Sequence, residues 1–370
     1  MAMHRHLLVI TVLQYFPLYL MSGISAAPKP SFPAVWVFGD SLVDSGNNNY
    51  VLLALAKANL PPNGIDFPTH HATGRFCNGK HSIDILCEYM GLPYPPPAKA
   101  PSSRGFAILK GLNYASGAGG ILNGTGANYI DRISFNEQIV LFQQTIRELN
   151  HLLGEAAAKD LLRNSLFASI FGSNDYINNY ILESNNASRI QYTPSQYVDL
   201  LISTYKTQLT TVYNLGARKF VVSAVGPLGC IPSRLAIGSV DGSCVASVNE
   251  LVLGFNNALK PLLLELTQTL PGSMFLYGNA YDAVYDLIQD PSPAGFNVVN
   301  RGCCGAGKYN GALPCLPVVE RICTNRNEYI FWDAYHPTQA FNEILGRRTF
   351  LGPPSDISPM NIQQLSMLQL

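Results

Sequence analysis

Short runs of apolar, β-branched and aromatic residues recur along the chain, at Ala34–Phe38, Leu112–Ala115, Leu166–Phe171, Phe220–Ala224 and Met274–Tyr277. Each is apolar at consecutive rather than alternate positions, the pattern of a strand covered on both faces. Between them the pattern changes to a helical period, most clearly over Ile133–Leu153, Ser195–Leu215 and Val245–Leu270. The second of these helices carries its own start signal: Thr193 as N-cap, Pro194 at the first position and Gln196 where a capping box needs it. Gly216 supplies a stop. Strands alternating with helices predict an α/β fold, a three-layer α/β/α sandwich with a central, mostly parallel five-stranded sheet. Ligands in such sheets bind at the carboxyl ends of the strands. That directs attention to the residues just after the first three runs: Ser41, Gly120 and Asn174. Two long irregular stretches, 98–110 and 295–327, read as elaborations on the domain rather than linkers.

Composition narrows the class. The chain has 370 residues, 24 basic and 24 acidic, with only 13% charged. No basic stripe or Lys/Arg run is present, which argues against nucleic acid as a partner. Without repeats or low-complexity linkers, residues 28–370 are expected to form a single domain. The first 27 residues read as a secretory signal peptide: Arg5, an apolar run from Leu7 to Met21, then small residues ending at Ala26 and Ala27. Gln14 and Pro17 interrupt the run, which is short for a membrane span of about 20 residues. No stable membrane span is expected, and the localisation expected is secreted and extracellular. Sequons at Asn123 and Asn186 fit glycosylation in that compartment. So do eight cysteines, all beyond residue 27 and even in number, which point to disulfides. Adjacent Cys303 and Cys304 bond each other only through a strained ring, so each is expected to take a different partner, Cys315 or Cys323, with Cys230 and Cys244 closing the loop after VGPLG.

Attack on an ester needs a hydroxyl nucleophile, a base near neutral pKa, a carboxylate to orient the base, and donors for the oxyanion. Four stretches supply these in order: VFGDSLVDSGNN with Ser41, NYASGAGGI with Gly120, FGSNDYINN with Asn174, and FWDAYHPT with Asp333 and His336. Taken singly each has an ordinary explanation. A serine after a strand is commonly a turn or cap residue, a glycine cluster a flexible loop, an asparagine a turn, and an Asp near a His a surface coincidence. The three-residue spacing of Asp333 and His336 suits contact across a turn of helix that Pro337 would end. A glycine near the carboxyl end of a strand, as in 117–120, lets a backbone N–H approach an oxyanion without steric obstruction. Beyond residue 27 the other histidines, 70, 71, 81 and 151, are read as loop or surface residues without metal-ligand spacing, so no metal is expected. The chain has no G-x-S-x-G elbow. The segment Gly302–Lys308 imitates a phosphate loop, but Tyr309 stands where the Mg²⁺-binding hydroxyl belongs.

The set VFGDSLVDSGNNNY, TGRFCNGKHSIDIL, GLNYASGAGGIL, FGSNDYINNY, VGPLGCIPS, GCCGAG and FWDAYHPT resembles the plant GDSL-type esterase/lipase family of the SGNH-hydrolase superfamily, from about Phe32 to about Phe350. The resemblance implies Ser41 as nucleophile and oxyanion donor, Asn174 and one of Gly119 and Gly120, with Gly120 preferred, as further donors, His336 as base and Asp333 as its orienting partner. Gln339 stands where the family commonly has Glu, a departure that touches no catalytic group. The implied activity is a serine esterase or lipase acting on a small-molecule or lipid ester through an acyl-serine, without cofactor, in the apoplast or cell wall. The acyl group passes to water or to another alcohol. The alternative is a catalytically silent secreted glycoprotein that binds a wall lipid or glycan.

Overall fold

Residues 31–181, 187–317 and 322–370 are described by a computed structural model of the chain. The expected signal peptide and the sequon at Asn186 lie outside them. Strands β1 (Val35–Gly39), β2 (Leu166–Ile170), β3 (Lys219–Ser223) and β4 (Met274–Gly278) lie side by side in chain order, all parallel. The register aligns Val35 with Leu166, Leu166 with Lys219 and Lys219 with Met274. Strands β5 (Val298–Gly302) and β6 (Tyr329–Phe331) form a separate parallel pair. The two-residue β7 (Ile357–Ser358) completes the main sheet, antiparallel to β4.

The helices are α1 (Ser82–Met90), α2 (Phe135–Leu153), α3 (Glu155–Asn164), α4 (Ala187–Gln191) and α5 (Pro194–Asn214), followed by α6 (Pro232–Gly238), α7 (Ala246–Thr269), α8 (Ala280–Gln289), α9 (Gln339–Leu351) and α10 (Ile362–Met367). Side chains alternate across a strand, and here the alternation sorts the core by chemistry. Trp36, Phe38, Phe167, Phe220 and Phe275 face an aromatic layer shared with α2, α5 and α7. Val35, Val37, Leu166, Ala168 and Leu276 face an aliphatic layer shared with α1, α9 and α10. The result is the expected α/β/α sandwich. In the aromatic layer Phe220 stacks on Phe275 with ring centroids 4.1 Å apart, and such a pair adds about 0.5–1.5 kcal/mol beyond its buried area.

The capping box at Thr193, Pro194 and Gln196 forms as read. The expected strand at 112–115 does not join the five. It runs beside β1 through three backbone bonds, Val37 N–H to Leu112 O, Tyr114 N–H to Val37 O and Ser116 N–H to Gly39 O. It forms only isolated bridges there. Its other edge is closed by backbone bonds, Asn113 N–H to Pro96 O and Ala98 N–H to Asn113 O, and by side chains: Asn47 Nδ2 donates to Asn113 O and Ala115 O at 2.8 Å, and Asn113 Oδ1 accepts from Ala115 N–H at 2.9 Å. The fifth strand is therefore β7, too short to leave a hydrophobic run. The stretch 295–327 includes β5, so it is less irregular than its composition suggested.

Three disulfides form, Cys230–Cys244, Cys303–Cys323 and Cys304–Cys315, joining the adjacent cysteines to separate partners as expected. The even count misled in one respect. Cys77 and Cys87 are free and buried, and burial pushes the Cys77 thiol up to about 12.

Candidate active site

Two glycines bring the backbone into position. Gly39 closes β1, and a Cβ there would stand 2.6 Å from Val43 Cγ2 and 2.9 Å from Ile170 O. Only a glycine lets the turn carrying Ser41 fold this tightly against β2. Gly172, after β2, has φ 112°, and a Cβ there would meet Val225 at 2.6 Å. Asn174 follows it and opens a π-helical turn, Asp175–Tyr180. Such turns are rare and recur at functional sites.

Asp333 and His336 meet without a helix. Tyr335 N–H and His336 N–H both donate to Asp333 Oδ1 at 2.8 Å, and Trp332 N–H donates to His336 O at 2.8 Å. The aspartate thus folds its own loop back on itself, an Asx-type turn, in place of the expected helical turn. Pro337 keeps His336 out of helical backbone, and α9 begins only at Gln339.

This bend sets His336 Nδ1 2.9 and 3.0 Å from the Asp333 oxygens and His336 Nε2 2.8 Å from Ser41 Oγ. An ionised carboxylate only accepts, so Nδ1 carries the proton and Nε2 of the neutral ring is the acceptor facing the serine hydroxyl. Asp333 and His336 are buried, while Ser41 is partly open. The Phe76 ring lies against His336, centroids 5.0 Å apart.

Asn174 Nδ2 donates to Gly119 O at 3.0 Å, and its Oδ1 accepts from Asn178 Nδ2 at 2.9 Å. Gly119 O can only accept, so this bond fixes which way the amide faces and leaves its second N–H without an acceptor among the described residues. The glycine turn divides the two candidate donors. Gly119 N–H is engaged by Ser116 O at 2.9 Å, whereas Gly120 N–H donates to no acceptor among the described residues. Ser41, Asn174, Asp333 and His336 line one cavity of about 440 Å³. From the glycine turn the lining residue is Ala118, at φ 66°, with Gly120 buried two residues on. The rest of the lining is largely apolar and extends past Ile170 to Val284 and Leu345.

Buried carboxylates that sequence reasoning passed over frame this arrangement. Asp44 accepts from Gly46, Asn47 and Gly117 N–H, and Asp175 accepts from Ile121 and Leu122 N–H and from Thr125 Oγ1. The glycine turn is therefore clamped from both ends. Burial pushes each of these two carboxyls up to about 6, against the backbone donors that lower it. Asp40, beside Ser41 and in the cavity wall, is pushed up to about 7 by burial. Its Oδ1 accepts from Leu42 N–H at 2.9 Å, while its buried Oδ2 has no partner among the described residues. Adjacency to Ser41 and Asn174 was the available signal for Asp40 and Asp175. His81, read as a loop residue, caps α1 and accepts from Asp84 N–H. Gln339 holds Lys80 N–H through its Oε1. No group of metal-binding side chains occurs among the described residues, and none of their helices is long and apolar enough to cross a membrane.

Comparison with known proteins agrees with this reading of the motifs. Residues 35–349 match the family described as GDSL-like Lipase/Acylhydrolase. Among curated relatives, GDSL esterase/lipase At1g71250 of Arabidopsis thaliana is 47% identical over 337 residues, 91% of this chain and 89% of the relative. GDSL esterase/lipase 7 of the same plant is 45% identical over 354 residues, 95% and 96% of the two chains. The likeness runs through the whole span that holds the cavity and its walls. The chain therefore belongs to the GDSL lipase/acylhydrolase family and is a carboxylic ester hydrolase.

Proposed function

We propose that this enzyme is secreted and acts through an acyl-Ser41 intermediate, with His336 as base and Asp333 as its orienting partner. The observation that carries the proposal is the unbroken relay from Ser41 Oγ through His336 to Asp333, each step within 3.0 Å. As Ser41 Oγ adds to the ester carbonyl, its proton passes to His336 Nε2 and the carbonyl electrons move onto oxygen. The oxyanion faces the Ser41 and Gly120 N–H groups and the free N–H of Asn174. Collapse breaks the bond to the alcohol, which leaves with the proton from His336. Water then gives a proton to His336 and attacks the acyl-serine, releasing the acid and restoring Ser41; an alcohol in place of water gives transfer instead of hydrolysis. Every atom moved comes from ester, water or this chain, so no cofactor enters the scheme.

The apolar lining suits an acyl chain. Residues 1–27 are taken to leave as a signal peptide and residues 28–370 to act as one domain in the apoplast or cell wall. Glycosylation at Asn123, which is exposed, and at Asn186 accompanies export. The test is hydrolysis of a series of simple esters of increasing acyl length by wild type and by Ser41→Ala. The proposal expects a chain-length optimum in wild type and a loss of at least about 10⁴-fold in kcat in the variant. Comparable turnover by Ser41→Ala would remove Ser41 as nucleophile.

A further inference from the structure

The described residues carry nineteen exposed large hydrophobic side chains, and six of them fall between residues 50 and 65. The cluster includes Leu52 at 88% exposure, Leu53 at 60%, Leu55 at 64% and Leu60 at 56%. Scattered single leucines on a surface need no explanation, but a contiguous patch does. This one sits at the mouth of the cavity, because Leu55, Ala56 and Lys57 form part of the cavity wall. Ala54 bridges to Ile130, itself 58% exposed, and Leu55 N–H donates to Tyr129 O. On the disulfide-bonded loop, Pro314 and Leu316 also line the cavity, and Leu313 and Leu316 are exposed.

Two further features set the patch apart. Ile130 has φ 67°, a conformation that strains a β-branched residue and persists where the surroundings impose it. Residues 50–65 contain a single charged side chain, Lys57. An apolar rim with one cation and no carboxylate suits a lipid surface, into which leucines insert while a lysine reaches the headgroups.

We propose that the rim built from residues 50–60, Ile130 and Leu313–Leu316 docks the enzyme onto aggregated lipid, so that an ester at the lipid–water interface enters the cavity directly. The inference rests on the ester-hydrolase reading of that cavity. Docking sets the local concentration of ester at the mouth, whereas a dissolved short ester reaches Ser41 without it.

The test compares wild type, the double variant Leu52→Asp/Leu53→Asp, and a control with two exposed residues changed elsewhere, Ile237→Asp/Val240→Asp. Leu52 and Leu53 do not line the cavity. Three readouts are taken: co-sedimentation with phosphatidylcholine vesicles, turnover of emulsified 4-nitrophenyl palmitate, and turnover of dissolved 4-nitrophenyl acetate. Inserting a leucine into an apolar phase favours binding by about tenfold or more. The rim variant should therefore lose at least about tenfold in vesicle binding and in emulsion turnover, while acetate turnover stays within about twofold of wild type. The control should match wild type in all three. Retained vesicle binding by the rim variant, or no binding by wild type, would overturn the proposal. So would a wild-type dimer that the rim substitutions dissociate, because the patch would then be covered by a second copy. Ser41→Ala separates this proposal from the catalytic one: it should bind vesicles like wild type while hydrolysing neither ester. Vesicle binding with turnover intact would contradict the catalytic reading and leave the docking surface standing.

Discussion

Replacing Asn174 by alanine perturbs two things at once, and the structure gives a size for each. In the proposed mechanism the free N–H of its amide meets the oxyanion, and loss of one such donor lowers kcat by about 10²–10³, or roughly 2.7–4 kcal/mol. KM should change little, because the contact strengthens only in the transition state. The same substitution strands Gly119 O and Asn178 Nδ2, both in buried hydrogen bonds at present. Each orphaned group costs about 1–3 kcal/mol unless water reaches it, so a lower melting temperature is expected as well. Stability loss alone does not separate a donor from a turn residue here; turnover by the folded fraction does. Asn174→Asp sharpens the comparison. It keeps an acceptor for Asn178 but offers Gly119 O and the oxyanion a carboxylate, so its kcat should be no higher than that of the alanine variant. The assay is steady-state hydrolysis of 4-nitrophenyl butyrate, with melting temperature measured on the same preparations. Asn174→Ala with kcat within about threefold of wild type and a lowered melting temperature would refute the donor role and leave only backbone N–H groups for the oxyanion.

Asp40 predicts a pH dependence of stability. Its carboxyl is pushed up to about 7 by burial, so between an ordinary aspartate value near 3.9 and about 7 the folded chain holds a proton that the unfolded chain has released. Its contribution to stability must fall as pH rises through that window, by up to about 1.4 kcal/mol per pH unit. Asp40→Asn should flatten this slope in urea unfolding from pH 4.5 to 7, and an unchanged slope would show that Asp40 is ionised when folded. Arg75 grips Asp84 with two bonds, Nε to Oδ2 at 2.7 Å and Nη2 to Oδ1 at 2.8 Å, both groups buried. Arg75→Ala leaves that carboxylate buried without its cation and should cost about 3–5 kcal/mol in urea unfolding; a loss below about 1 kcal/mol would mean water takes the guanidinium's place.

What the sequence revealed tracks how local its physical cause is. Thr193, Pro194 and Gln196 fix a helix start through contacts within four residues, and that start was legible. Consecutive apolar runs located β1 to β4 because both faces of those strands are covered. The run at 112–115 has the same local look, but Asn47, far away in the chain, and the backbone of Pro96 and Ala98 occupy its outer backbone groups, and nothing within the run announces that. β7 is held by pairing with β4 and by burial of Ile357, neither of which leaves a periodic trace in two residues. In the candidate active site, the proposed residues Ser41, Asn174, Asp333 and His336 were read from motifs, while their contacts could not be. The Asp333–His336 bend shows why: two backbone N–H bonds to one carboxylate do the work that residue spacing had suggested a helix would do. Asp44 and Asp175 clamp the glycine turn across gaps of more than fifty residues, and the pairing of Arg75 with Asp84 left no mark that sequence reasoning recognised.

In the proposed mechanism Ser41 is a nucleophile made reactive by His336. This role is tested most directly by treating the folded enzyme with a fluorophosphonate ester and locating the adduct by intact mass and peptide mapping. A single adduct is expected on Ser41 in wild type, none in Ser41→Ala, and greatly slowed labelling of Ser41 in His336→Ala. An adduct on a different serine, or equal labelling rates with and without His336, would contradict that role.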